Sequence, residues 1–190
     1  EHCGATLYRA SSLLLDENAT LDQKLARAGL IAHETAHMWF GDLVTMPWFD
    51  EVWLKEVFAG FMADKMVEAF LPGIDHRLKF ILEHVPSALS VDRSEGTHPI
   101  TRFLGNLADA GTLYGHLIYH KAPVMMDQLE LRVGADQLRE ALGEYLRENA
   151  YGNAGWDSLV NILAIRDPEL KEWSRRWVNE AGLPIISVRR

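Results

Sequence analysis

Apolar residues recur along most of this chain at the spacing of an α-helix. In the first long segment they are Leu21, Leu25, Ala28, Ala32 and Trp39. This spacing predicts one helix over residues 21–40. Thr20 and Gln23 fit a capping box at its start, and Gly41 marks its end.

A second long helix is predicted over residues 51–71, with Asp50 as its N-cap and Pro72 and Gly73 as its terminator. Weaker helical patterns follow at about 74–84, 110–131, 134–149, 155–165 and 168–181. Pro86 and the small and polar residues after it predict a loop over 86–108. Residues 5–15 are interpreted as one or two short strands. The fold class is therefore mainly α (α+β), with a short β segment at the N-terminus.

Composition and charge exclude several classes of protein. The 190 residues are 48% hydrophobic and 24% charged, too apolar for a disordered chain. A net charge of −8 without a basic run excludes a phosphate-binding face, so no nucleic-acid partner is expected. No apolar stretch reaches the length of a membrane span. The single cysteine, Cys3, excludes internal disulfides, and it is consistent with a reducing, cytoplasmic location.

The candidate chemistry begins with an H-E-x-x-H motif inside the first helix. His33 and His37 stand four residues apart, so both imidazoles share one helix face and can reach one ion. Glu34 lies beside that face, where it would touch a catalytic water rather than the metal. The motif also occurs by chance on exposed helices. Glu56, on the second helix after 18 intervening residues, completes a three-ligand set and predicts one catalytic Zn²⁺ ion.

Longer stretches around this motif resemble the M1 family of zinc aminopeptidases, which are gluzincins. The stretches are H-E-T-A-H-M-W-F-G-D-L-V-T-M (33–46), W-F-D-E-V-W-L-K-E-V-F-A (48–59), T-H-P-I (97–100), Y-H-K-A (119–122) and Y-G-N-A (151–154). They follow the family's order along nearly the whole chain. The resemblance implies a thermolysin-like catalytic domain over 1–182, truncated at its N-terminal side. Residues 183–190 would begin a following, missing domain.

The resemblance also implies roles for individual residues. His33, His37 and Glu56 would bind zinc, and Glu34 would act as the general base and then donate a proton to the leaving amine. Tyr119 would stabilise the oxyanion, although Tyr114 is a plausible decoy. Glu1 matches the family's glutamate that binds the substrate's free α-amino group. The implied activity is hydrolysis of the first peptide bond of a peptide.

A gluzincin endopeptidase, an epoxide hydrolase and a non-catalytic peptide-binding scaffold are the alternative functions. A histidine ligand normally donates its second N–H to an acceptor, for which Asp42 and Asp64 are the candidates here. The expected partners are peptides, bound through their free N-terminus, and the remaining domains of a longer parent chain. Alone, residues 1–190 are expected to bind zinc with weak or no activity.

Overall fold

The computed structural model describes residues 2–112, 115–182 and 187–188. The helices of these ranges are α1 (Ala10–Leu13), α2 (Leu21–Ala36), α3 (Val52–Phe70), α4 (His76–Asp92), α5 (Ala122–Val133), α6 (Ala135–Glu148), α7 (Trp156–Ala164) and α8 (Leu170–Val178). Short 3₁₀ helices cover Phe49–Glu51 and Leu107–Thr112, and a π-helical turn covers Leu117–Lys121. The predicted fold class, mainly α with a little sheet, is confirmed. No helix in these ranges is long and apolar enough to cross a membrane.

The sheet does not lie where the sequence predicted it. Strand β1 (Val44–Thr45) pairs in parallel with β2 (Gly152–Asn153), 108 residues further along the chain in register. The predicted strands in residues 5–15 are wrong, because Ala10–Leu13 form α1 and the residues on either side of it belong to no strand. Leu7 and Leu14 are 83% and 75% exposed, so they form no buried sheet face. The apolar run that suggested a strand has no period of two to distinguish it from a helix.

Helix α2 begins as predicted and ends earlier than predicted. The capping box is present, with the Thr20 side chain accepting from the Gln23 N–H and the Gln23 side chain accepting from the Thr20 N–H. The helix stops at Ala36 rather than at residue 40. Beyond it the helical bonding becomes irregular: the N–H of Trp39 donates three residues back, to Ala36, and the N–H of Asp42 donates five residues back, to His37. The motif therefore occupies the last turn of α2 and its exit, not the helix middle.

Helix α3 returns along α2, and its start differs slightly from the prediction. Glu51, not Asp50, is the residue before its first turn. The Glu51 carboxylate accepts from the N–H of Trp156, 3.1 Å away, and so joins the starts of α3 and α7. A small apolar cluster fills the contact between α2 and α3. Its buried members are Leu25, Ala32, Ala63 and Val67.

The region predicted as a loop from residue 86 is partly helical. Helix α4 continues through Pro86 to Asp92. Pro86 removes the helical donor of the Leu82 carbonyl, and Leu82 lies on the solvent-exposed side of α4, 66% exposed. The single helix predicted over 110–131 is also divided, into a 3₁₀ segment, the π-helical turn and α5. Of the predicted following domain, 183–190, only residues 187–188 are described.

The main core lies between α3, α5, α6 and α7. Trp53, Phe58, Met125 and Leu159 are almost fully buried in it. The Trp53 and Trp156 rings pack with centroids 5.4 Å apart. This packing holds α3 rigidly, and the α2–α3 cluster holds α2 against it. The exit of α2 and the start of α3 therefore have a fixed relative position.

Candidate metal centre

Three predicted ligand side chains meet where α2 ends and α3 begins. His33 lies in the last turn of α2, His37 follows that turn, and Glu56 lies in the second turn of α3. The two Nε2 atoms are 3.1 Å apart. Glu56 Oε2 lies 3.4 Å from His33 Nε2 and 3.9 Å from His37 Nε2. The structure therefore brings together residues that are 23 positions apart in sequence.

The second ring nitrogen of His37 contacts a backbone carbonyl. His37 is 1% exposed, and its Nδ1 lies 2.9 Å from the carbonyl oxygen of Phe40. A carbonyl only accepts, so Nδ1 carries the proton and the lone pair of Nε2 faces the point where His33 and Glu56 converge. The two acceptors considered from the sequence, Asp42 and Asp64, do not fill this role for His37. Asp64 instead lines a cavity between α2, α3, α4 and α5.

Glu56 is charged despite its burial. Its side chain is 9% exposed, and burial raises its pKa. The hydrogen bond from His33 and the ammonium group of Lys55, whose Nζ lies 3.5 Å from Oε1, act in the other direction and leave the pKa below its usual range. The ionised carboxylate and the two imidazole nitrogens can each donate an electron pair to a cation bound between them.

This set fits a zinc ion. Each of the three residues offers one ligand atom, and these atoms lie within 4.8 Å of one another. Two imidazoles and one carboxylate are ordinary zinc ligands, and three protein ligands leave a fourth position for water or substrate. Among residues 2–112, 115–182 and 187–188, no other group of three or more His, Cys, Asp and Glu side chains has metal-binding geometry.

Besides the three ligands, the predicted site residues are Glu34, Tyr119 and Glu1. Glu34 is half-buried in the last turn of α2, and it is not part of the ligand group. Tyr119 is 42% exposed in the π-helical turn, which packs against α3, α4 and α5. Glu1 and the decoy Tyr114 lie outside the described residues. The roles of Glu1, Glu34 and Tyr119 therefore stay predictions.

Sequence reasoning missed two neighbours of the ligand group. One is the carbonyl oxygen of Phe40, a backbone atom whose contact with His37 cannot be predicted from the residue type. Gly41 was a signal for it, because its φ of +135° turns the chain back towards His37. The other neighbour is Lys55, whose ammonium group faces Glu56.

Comparison with known proteins agrees with this geometry. The sequence model described as "Peptidase family M1 domain" matches residues 1–177. Probable aminopeptidase 1 of Sulfurisphaera tokodaii is 33% identical over 189 residues, covering 99% of this chain and 24% of the relative. Tricorn protease-interacting factor F2 of Thermoplasma volcanium is 34% identical over 191 residues, covering 100% of this chain and 24% of the relative. Aminopeptidase N of Lactobacillus helveticus is 34% identical over 191 residues, covering 99% of this chain and 23% of the relative. The chain spans about a quarter of the length of these relatives.

Proposed function

The chain belongs to peptidase family M1, and from that premise we propose that it is the catalytic part of a zinc-dependent aminopeptidase. The observation that carries the proposal is the convergence of His33, His37 and Glu56 at one point between α2 and α3. The names of the relatives, two of which are aminopeptidases, support the reaction class.

His33, His37 and Glu56 would hold the zinc ion. When bound, zinc supplies a Lewis acid that polarises the scissile carbonyl and lowers the pKa of a water to about 7. The protonated Nδ1 of His37, bound to the Phe40 carbonyl, keeps Nε2 unprotonated for the metal. The hydrogen bond from His33 and the ammonium group of Lys55 lower the pKa of Glu56, which favours its ionised form.

Glu34 would be the general base. It directly follows His33 in the same helical turn, and a carboxylate there can take a proton from the attacking water. The same group would then return that proton to the leaving amine. The carbonyl oxygen becomes negative during the attack, and the Tyr119 hydroxyl would donate a hydrogen bond to it.

Glu1 would select substrates by their free α-ammonium group, which makes the reaction an exopeptidase cleavage. A carboxylate is complementary to that cation, so the expected substrates are peptides with an unblocked N-terminus. The reducing cytoplasm would suit a chain with one exposed cysteine. The remaining domains of a longer protein would close the cleft around this part.

The proposal is tested by Glu34→Gln in the intact protein that carries these residues. We expect zinc content to stay at that of the wild type and kcat on an aminoacyl arylamide to fall about 10²- to 10⁴-fold. Glu148→Gln, at an exposed position of α6, is the matched control and should keep full kcat. Unchanged turnover in Glu34→Gln would exclude the assigned base.

Substrate chemistry separates the alternatives. A peptide with an acetylated N-terminus should resist cleavage by an aminopeptidase, whereas a gluzincin endopeptidase would cut it. An epoxide hydrolase would open an epoxide without cutting either peptide. A peptide-binding scaffold would bind the free peptide and release no product.

A further inference from the structure

Tyr119 lies in a widened turn that the sequence itself causes. The π-helical turn Leu117–Lys121 runs directly into α5, and the N–H of Ala122 donates to the carbonyl of Leu117. Pro123 is the second residue of α5. Its ring would clash with the carbonyl four residues back, that of Tyr119, and it has no N–H to donate to that carbonyl. Widening the turn to a π-helix relieves the clash, and such π-turns are frequent at functional sites.

Helix α4 supplies a donor to the Tyr119 carbonyl. His84 Nδ1 lies 3.0 Å from the Tyr119 carbonyl oxygen. Because that oxygen can only accept, His84 Nδ1 carries the proton. The His84 ring packs against those of Phe80 and His120, with centroids 4.7 Å and 5.4 Å apart. The donor therefore has a fixed position.

A second contact, from Asp92 at the end of α4, also holds this turn. Lys121 is 1% exposed, and its Nζ lies 3.0 Å from Asp92 Oδ1 and 2.9 Å from the carbonyl oxygen of Gly182. Asp92 Oδ1 also accepts from the Thr97 hydroxyl at 3.0 Å. Separating the pair would leave a buried charge without its partner, which is costly, so these bonds favour one position of Lys121. The turn that carries Tyr119 is thus fixed at residues 119 and 121.

We propose that α4 sets the position of Tyr119, with His84 as the positioning residue at its carbonyl and the Asp92–Lys121 pair as the second anchor. This inference rests on the proposed function, since it needs Tyr119 to act at the reacting carbonyl. His84 itself touches no reacting atom. Its contribution is to keep the Tyr119 hydroxyl where the oxyanion forms, which affects kcat more than substrate binding.

The test compares two substitutions at His84 in the intact protein. His84→Leu removes the donor, and we expect kcat to fall about 10- to 100-fold with KM little changed. His84→Asn keeps an N–H donor near the position of Nδ1 and should recover most of that loss. His76→Leu is the matched control, because His76 lies on the same helix and its Nε2 binds a backbone carbonyl, that of Leu71, at 2.9 Å. The control should keep wild-type kcat.

A double-mutant cycle with Tyr119→Phe separates positioning from a general loss of structure. If His84 acts through the hydroxyl, His84→Leu should have little further effect on kcat once Tyr119 is phenylalanine. An equal fall of kcat in both backgrounds would overturn the inference, as would full kcat in His84→Leu while Tyr119→Phe is impaired. If Tyr119→Phe alone kept full kcat, the role assigned to Tyr119 in the proposed function would be the part that fails.

Discussion

The Nδ1 atom of His37 lies 2.9 Å from the backbone carbonyl oxygen of Phe40, three residues further along the chain. This bond determines which ring nitrogen carries the proton, and it therefore determines that Nε2 faces His33 and Glu56 with a lone pair. The bond depends on the tight exit from α2, where Gly41 has a φ of +135°. The geometry of the metal centre is thus built partly by a glycine that touches no metal.

Gly41→Ala should disturb both stability and metal binding. An alanine is strained at this φ, and its Cβ would lie 3.4 Å from His37 Nδ1. We expect a loss of about 1–3 kcal/mol in the free energy of unfolding, measured by urea denaturation, together with weaker zinc binding. Gly134→Ala is the control, because Gly134 has a φ of +87° with nothing within 4 Å of an added Cβ. The control should lose stability and keep zinc affinity. Equal zinc affinity in both variants would contradict the role of Gly41.

Removing the carboxylate ligand should lower zinc content and remove the stability that zinc provides. A ligand at 1,000 times its Kd stabilises the folded state by about 4 kcal/mol. We expect added Zn²⁺ to raise the Tm of the chelator-treated wild type and to have little effect on Glu56→Ala. Elemental analysis should find the variant depleted of zinc. A Tm rise as large as that of the wild type would show that Glu56 is not a ligand.

The features that sequence predicted correctly are local ones. The capping box of Thr20 and Gln23 and the His33–His37 pair depend on spacings of three and four residues within one helix. The approach of Glu56 to the two histidines was predictable because only one connector separates its helix from α2. These signals do not require knowledge of distant packing.

The features that sequence missed depend on distant partners or on tolerated exceptions. Strands β1 and β2 have two residues each, too few to show alternation, and each exists only because the other lies beside it. Pro86 signalled a break, but an exposed helix face tolerates the missing bond. The interaction of His84 with Tyr119 joins positions 35 apart, and nothing local in either segment indicates it.

The buried ion pair predicts a large penalty for a single substitution and a small one for a double substitution. Lys121→Met leaves the Asp92 carboxylate buried without its cation, since the two side chains are 2% and 0% exposed. We expect a loss of about 3–5 kcal/mol in the free energy of unfolding. The double variant Asp92→Leu, Lys121→Met removes both charges and should recover most of that loss. Urea denaturation of the two variants gives the comparison, and equal losses would contradict a desolvated pair.

The histidines beside Tyr119 predict that the protein loses stability on acidification. Burial lowers the pKa of His84, and the charge of His120 lowers it further, although Glu83 opposes both. The pKa of His120 is lowered by burial and then by His116. In the unfolded chain these histidines bind protons near pH 6.5, whereas in the folded protein they bind them only at lower pH. Stability from these groups is therefore complete above about pH 6.5 and declines as the pH falls below it.

His120→Gln should make this decline shallower, because it removes one of the affected groups and one charge that acts on His84. The measurement is the free energy of unfolding at pH 7.5 and at pH 5.5, in the variant and in the wild type. Asp64 has the opposite effect on the pH dependence of stability, because desolvation in the cavity wall raises its pKa to about 6, although Asp64 is exposed by surface area. Both proteins contain Asp64, so comparing them cancels its contribution. His2→Gln, at an exposed position, controls for the loss of one histidine. The same difference between the two pH values in His120→Gln and in the wild type would exclude the cluster as the source of acid sensitivity.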